Sequence, residues 1–421
     1  MEIVIATALD NGYTMPTVVM LQSMFENAGQ ETRYDVYLLV PAGFEKENKE
    51  RFEQLNHSFP KHGIAFVDMG SAFAQEKMLI SHISYPTYYR LLLPEILSDK
   101  KRCLYLDGDM LVMQDLSPLF WEDLQGAYIG GVKAPFYQSD DIERERVCKR
   151  LGIPDAGSYI NAGVLLMDLE KMREDDMVQS FMKLLQLKHW SSQDQDILNA
   201  ACYGKIRTLP FCYNYQVVGA FYPQDILERI YPQEERMKPT NAPVIIHYSN
   251  KSVKPWKSLQ YLYADIWWEY FGRSSYSEEE VARKEEIAKE EEKKRLEFQQ
   301  HRECLGNASA VILFGYSDTG IELMRYLQQD GICVSCFCDN DEKKQGMREQ
   351  GKHVLPLSRC LEEYPEAYYV NTSQAYRKDI TEQLLQAGVL RMHIVEYQKK
   401  ERYLERVRKP EYRERYGDIY L

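Results

Sequence analysis

Three observations predict an α/β architecture built as two units. From Glu2 to about Tyr270, short β-branched apolar runs alternate with longer amphipathic ones, the pattern of strands separated by helices. Within that stretch, Leu104-Tyr105-Leu106-Asp107-Gly108-Asp109-Met110-Leu111-Val112 sets two carboxylates and a glycine in an apolar run, at the strand end where open parallel sheets bind ligands. A second strand-helix-strand pattern begins at Ala308. At 421 residues the chain exceeds what one hydrophobic core usually supports, so two or three domains are expected.

The elements follow in order. Glu2-Ala8 and Tyr34-Val40 read as strands, with a helix over Met15-Asn27 between them. Glu45-Phe59 reads as a second helix and Ile64-Asp68 as a third strand. Arg102-Asp107, Tyr128-Val132, Ala162-Asp168 and Pro243-His247 read as further strands. From Ser274 the composition turns to Glu, Lys and Arg, and Ser277 followed by Glu280 reads as a capping box opening a solvated helix. Its apolar positions hold no heptad, so a spacer is expected rather than a coiled coil. Val311-Gly315, Ile321-Gln329 and Ile332-Asp339 then outline a βαβ unit, continued by strands at His353-Pro356 and Glu366-Asn371. The domain plan is therefore 1–273, a charged helix over 274–307, a Rossmann-like α/β domain over 308–397, and a Tyr/Arg-rich tail over 398–421.

Composition narrows the function. A net charge of -12 argues against nucleic-acid binding, which needs a basic face. No apolar stretch approaches the roughly 18 residues of a membrane span, and Met1-Asp10 is too short and lacks the basic flank of a signal peptide. Nine scattered cysteines suit reduced thiols and a cytoplasmic setting. Cys333, Cys336 and Cys338 have no second cluster to complete a zinc site and are expected to be buried strand residues.

The paired aspartates carry the chemistry. Alternation along an extended strand would point Asp107 and Asp109 the same way, letting them grip one cation, while Gly108 would let a ligand approach the backbone. An Asp-Gly-Asp turn at a strand end is the plainer reading. Four segments accompany the motif: His82-Leu91, which carries Arg90; Tyr159-Leu166, which carries Asn161; Gln193-Asn199, which carries Asp194, Gln195 and Asp196; and the loop from His247-Tyr248 to Lys254-Pro255-Trp256.

In this order and spacing, residues 1 to about 270 resemble the family 8 retaining glycosyltransferases, which include bacterial lipopolysaccharide galactosyltransferases and glycogenin. The resemblance implies a GT-A nucleotide-sugar transferase fold, a Rossmann-like mixed sheet, here followed by the charged helix and the small second α/β domain. It implies Mn²⁺, with Mg²⁺ as the alternative, and a UDP-glucose or UDP-galactose donor. Asp107, Asp109 and His247 form an O,O,N set that suits Mn²⁺, and Lys254 would meet the β-phosphate as a point charge. By the same resemblance Ala6, Asp10 and Tyr13 line the uridine pocket, with Tyr13 stacking on the base. Arg90, Asn161, Asp194 and Gln195 form the sugar-binding set. Gln195 stands where a double displacement needs a nucleophile, and an amide is a poor one. Front-face retention is the expectation, with Gln195 stabilising positive charge at the anomeric carbon. The plainer alternative is a helix start capped by Asp194 or Asp196.

Three departures from the family pattern stand out. The turn Ala8-Tyr13 is longer than usual. Asn250 replaces a glycine in a lengthened phosphate loop, so contacts there can shift to Lys251 or Ser252. Lys133-Ala134 stands where relatives often carry an aspartate. In the C-terminal unit, Gly315-Gly320 resembles a dinucleotide fingerprint with Ser317 at the middle glycine, where a Cβ obstructs a pyrophosphate, and Asp339 is placed to receive a ribose. The expected activity is hexose transfer to a glycan, lipid-linked or glycoprotein acceptor in bacterial surface-polysaccharide, lipopolysaccharide or glycoprotein assembly. The expected setting is the cytoplasm, with peripheral contact at the inner membrane face. A homo-oligomer through the spacer helix stays open, as do a non-catalytic assembly subunit and a sugar-nucleotide oxidoreductase working through the C-terminal unit.

Overall fold

The computed structural model describes residues 2–76, 84–138, 141–187, 190–217, 230, 243–249, 254–373 and 376–396. His82, the loop residues Asn250, Lys251 and Ser252, and the tail 398–421 lie outside them. The described residues form two compact units, 2–287 and 288–396.

The first unit is organised by a seven-stranded sheet in the order β3-β2-β1-β4-β7-β6-β8. Its strands are β1 (Glu2–Ala8), β2 (Arg33–Val40), β3 (Gly63–Asp68), β4 (Arg102–Leu106), β6 (Ile129–Lys133), β7 (Ile160–Asp168) and β8 (Ile206–Thr208). β1 to β4 run parallel, while β7 is antiparallel to β4 and β6. The continuous apolar run Ile3-Val4-Ile5-Ala6 is buried because β1 lies inside the sheet with both faces covered. A three-stranded sheet, β5 (Met110–Val112), β10 (Ile245–His247) and β9 (Tyr215–Gln216), forms beside it.

The passage from β4 to β5 corrects the extended alternation expected of Asp107 and Asp109 and matches the alternative of an Asp-Gly-Asp turn at the strand end. β4 ends at Leu106, Asp107-Gly108-Asp109 is a bend, and the chain enters the smaller sheet at Met110. The bend is held at both ends: Asp107 N–H donates to Gly163 O at 2.9 Å, and Tyr248 N–H donates to Asp109 O at 3.0 Å.

The long charged helix runs Glu280–Asn307, preceded by a 3₁₀ turn over Ser277–Glu279. The expected capping box does not form: the Glu280 carboxylate turns forward to Lys284. In the second unit, β11 (Val311–Phe314) is central to a sheet ordered β13-β14-β12-β11-β15-β16, with β12 at Cys336–Cys338, β13 at Arg348–Glu349, β14 at Lys352–Leu355, β15 at Tyr368–Asn371 and β16 at Ile394–Glu396. All its pairings are parallel except β13 with β14. The strand expected over Ile332–Asp339 shortens to three residues. Cys336 and Cys338 are buried as expected, whereas Cys333 lies before the strand and is exposed. Ser317 caps the helix Asp318–Gln329 through Gly320 N–H, so the serine in the glycine position has a local structural task. Asp339 accepts Tyr316 N–H at 2.8 Å and pairs with Lys344 at 3.2 Å, which engages its carboxylate within the turn itself.

Candidate functional site: a cation-ready triad beside a buried ion-pair cluster

The change of sheet brings the chemistry together. His247 closes β10 opposite Met110 of β5, next to the bend that carries both aspartates. Asp107, Asp109 and His247 each offer a ligand atom within 4.8 Å of the others. Convergence thus comes from a bend between two sheets and not from alternation along one strand. Glycine at 163 permits it, since a Cβ there would stand 2.3 Å from His247 Cε1 and 3.0 Å from Asp107 Oδ2. Gly108 has a packing reason for being glycine: a Cβ there would lie 2.1 Å from Thr17 Oγ1 on the first helix.

The donor set fits a divalent cation. Asp109 Oδ1 is buried with no hydrogen-bond partner, and it faces His247 Nε2 at 3.3 Å. A buried oxygen without a donor costs on the order of 1–3 kcal/mol, a cost that a cation between carboxylate and imidazole removes. Asp109 Oδ2 pairs with Lys254 Nζ, which also donates to Tyr248 O at 2.6 Å. Burial by itself raises the Asp109 carboxyl, but the Lys254 ammonium outweighs it and holds it well below the usual carboxylate range. Lys254 is itself buried, with Pro255 opening the 3₁₀ turn Pro255–Lys257 beside it.

Arg90 ties the triad to Asp194. Its Nη2 meets Asp107 Oδ1 at 2.8 Å, its Nε meets Asp194 Oδ2 at 3.1 Å, and its Nη1 donates to Ala162 O at 2.6 Å. Its guanidinium lies 4.1 Å from the Tyr105 ring centroid. Burial opposes its charge, yet Asp107 and Asp194 raise it above its usual value. Burial also raises the Asp194 carboxyl, with Arg90 and Thr87 pulling the other way; Thr87 Oγ1 donates to it at 2.7 Å.

Gln195 opens the helix Asp194–Ala201 and its amide is engaged at both ends. Oε1 accepts from Asn161 Nδ2 and from Ala162 N–H, each at 3.1 Å, and Nε2 donates to Tyr159 Oη at 3.0 Å. Of the two acids proposed as caps, Asp196 reaches back to Ser192 N–H at 2.9 Å, while Asp194 turns to Arg90. Asp196 is fully buried and pairs with Arg150 at 2.9 Å and Tyr159 Oη at 2.7 Å. Gln193, just before the helix, holds φ 52° and ψ -122°, a conformation that costs a non-glycine residue about 1–3 kcal/mol.

On the other side of the triad, the lengthened turn forms a 3₁₀ helix, Asn11–Tyr13, in which Asp10 caps Tyr13 N–H at 3.1 Å. Tyr13 meets Trp256 edge-on at 6.3 Å. Burial, then Asp109, Asp107 and Asp10, push its phenol well above the usual value. Ala6 is fully enclosed in β1; Ala8, two residues on at the strand end, is partly exposed. Sequence reasoning missed Thr87, Tyr105, Tyr159, Arg150 and Asn214. Only Thr87 carried a signal, lying three residues before Arg90 on one helical face.

The sequence profile of glycosyl transferase family 8 matches residues 4–260. General stress protein A of Bacillus subtilis is 28% identical over 65% of this chain and 93% of its own length, and glycosyltransferase GlyF of Streptococcus pneumoniae is 28% identical over 66% and 67%. The lipopolysaccharide 1,2-glucosyltransferase of Escherichia coli is 29% identical over 40% of this chain and 48% of its own. Among solved structures, the galactosyltransferase LgtC, in complex with donor and acceptor sugar analogs, superposes with a TM-score of 0.55 at 27% identity, covering 65% of this chain and 96% of LgtC. The LgtC likeness makes the first unit a GT-A-like mixed α/β fold, and the profile match extends over more than half of the chain. This protein belongs to glycosyl transferase family 8.

Proposed function

We propose that the protein is a retaining hexosyltransferase that moves glucose or galactose from a UDP-sugar to a glycan or glycoconjugate acceptor. The observation that carries this reading is the meeting of Asp107, Asp109 and His247, with a donorless Asp109 oxygen, beside the Arg90-Asp194 pair. The names of two relatives, a lipopolysaccharide glucosyltransferase and a galactosyltransferase, support a hexose donor and a role in surface-glycan assembly. Residues 2–396 contain no described helix long and apolar enough to cross a membrane.

A nucleotide-sugar donor leaves as a diphosphate whose negative charge grows as the glycosidic bond breaks, so stabilisation must be greatest in the transition state. Asp107, Asp109 and His247 would hold Mn²⁺, or Mg²⁺ in its place, which supplies positive charge at that diphosphate when bound. Lys254 adds a second positive charge on leaving Asp109 for a phosphate oxygen. Asp194, oriented by Arg90 and Thr87, accepts hydrogen bonds from sugar hydroxyls. Tyr13, beside Trp256, offers a ring face to the base. The Gln195 carbonyl already accepts two N–H donors, which makes the amide a still weaker nucleophile. Retention then proceeds on the front face, with the departing phosphate taking the acceptor's proton and the Gln195 dipole steadying charge at the anomeric carbon.

The test is a panel of UDP-sugars with Mn²⁺, scored by UDP release and by the mass of products on candidate acceptors. UDP release with one UDP-hexose, lost in Asp109→Ala, is expected; absence of both UDP binding and hydrolysis refutes the enzyme reading.

A further inference from the structure

We infer that Asn214 is a positioning residue that fixes which nitrogen of His247 carries the proton and so aims the Nε2 lone pair at the cation site. The inference rests on the metal reading above and adds to it a residue that makes no contact with a cation.

The argument starts from a donor whose polarity is certain. Gly163 N–H donates at 3.0 Å to the Asn161 side chain, and a backbone N–H only donates, so the atom it meets is the Asn161 oxygen. The Asn161 amide nitrogen then faces Gln195 Oε1 at 3.1 Å. That Gln195 atom also accepts the backbone N–H of Ala162, so it too is an oxygen, and the orientation of Asn161 is anchored from both sides. Asn214 lies against the same Asn161 oxygen at 2.9 Å and must present its NH₂ there. Its own oxygen is thereby turned to His247 Nδ1, 2.9 Å away. A carbonyl oxygen only accepts, so Nδ1 carries the hydrogen.

A neutral ring with its proton on Nδ1 has a bare Nε2. That nitrogen stands 3.3 Å from Asp109 Oδ1, which is buried and has no hydrogen-bond donor. Two lone-pair bearers facing each other in a buried site repel unless a cation lies between them. The chain Gln195-Asn161-Asn214-His247 thus sets the ligand from a backbone amide on β7, and it joins the sugar-side amide to the metal-side imidazole. Asn214 is placed for this at the end of the 3₁₀ turn Phe211–Asn214, immediately before β9, which pairs with β10 at His247. It is fully buried.

The experiment uses the full chain with UDP and Mn²⁺, reading free Mn²⁺ by electron paramagnetic resonance, and ¹⁵N-histidine NMR of the metal-free protein. Asn214→Leu removes the Nδ1 acceptor and is expected to weaken Mn²⁺ binding by about 10–100-fold, the usual effect of losing the partner of a ligating histidine. Asn214→Asp keeps an acceptor for Nδ1 and is expected to bind Mn²⁺ more tightly than Asn214→Leu. In the wild-type spectrum, His247 is expected with a protonated Nδ1 and an unprotonated Nε2. A wild-type ring protonated on Nε2 overturns the inference and needs no variant to show it. Equal Mn²⁺ binding by wild type and a folded Asn214→Leu overturns it while leaving the metal reading intact. A wild type that takes up no Mn²⁺ overturns both.

Discussion

Gly163→Ala tests the site at its tightest point. The added Cβ would sit 2.3 Å from His247 Cε1, with Asn161 Oδ1 and Asp107 Oδ2 each at 3.0 Å. Restoring an ordinary 3.4 Å contact requires the imidazole to retreat by about 1 Å. The ring has little room, because Nδ1 is bonded to Asn214 at 2.9 Å and the residue is paired into β10. Overpacking of this kind costs about 1–3 kcal/mol. In a domain of this size that is a fall of about 2–12 °C in Tm. A misplacement of about 1 Å in a reacting constellation costs on the order of 100-fold in rate. The assay pairs a thermal scan with Mn²⁺ titration in the presence of UDP and with kcat for UDP release. The expected variant is folded, modestly destabilised, weaker for Mn²⁺ and about 100-fold slower. A variant with wild-type Mn²⁺ affinity and turnover would show that His247 does not need its position, and the reasoning from Gly163 to the triad would fail.

Further expectations concern the charges. Lys254→Met leaves Asp109 buried without its cation and is expected to cost about 3–5 kcal/mol in chelator, whereas Asp109→Asn with Lys254→Met costs less than that single change; denaturant titration of both variants and of Asp109→Asn decides it. In metal-free protein the depressed Asp109 carboxyl contributes stability that is complete above its unfolded value of about 3.9 and is lost as pH falls through the lower folded value, so unfolding midpoints measured below about pH 5 should drop more steeply for wild type than for Asp109→Asn. Arg90→Lys cannot span Asp107 and Asp194 together; a loss of about 10–100-fold in kcat/KM for the donor is expected, and an unchanged value would remove Arg90 from the pocket. Gln195→Ala should retain activity at about 1% or somewhat less, and intact-protein mass after mixing wild type with donor should show no hexosyl adduct. A trapped adduct on Gln195 would overturn front-face retention.

Much of the first unit was legible because its central strands β1, β4 and β7 are buried on both faces and announce themselves as apolar runs. β1 over Glu2–Ala8 matches the reading residue for residue, and β2 differs by one position at its start. The second unit read less well at its edges. Ile332–Asp339 looks like a long strand, yet only Cys336–Cys338 pairs, because its partners β11 and β14 are short. Ser277 and Glu280 have the spacing of a capping box, but the Glu280 carboxylate finds Lys284 one turn ahead. Local propensity proposed that cap, and a competing side chain took it.

Residue chemistry alone determined the cast of the site. Two acids flanking a glycine, a third acid, an arginine, two amides, an imidazole and a lysine are polar groups placed among apolar runs, where burial demands a partner for each. Their order along the chain suffices to suggest the family. Tertiary structure decided how they meet. Asp107 and Asp109 converge because the chain changes sheets between Leu106 and Met110, a fact of long-range pairing with His247 that no local pattern contains. Asn214 orients that histidine from 33 residues away. Tyr159, just before β7, holds the Gln195 amide and is itself held by Asp196, which pairs with Arg150 from another helix. A sequence records which groups must find partners, but hydrogen bonds and ion pairs act over about 3 Å, and only the folded chain brings those groups that close.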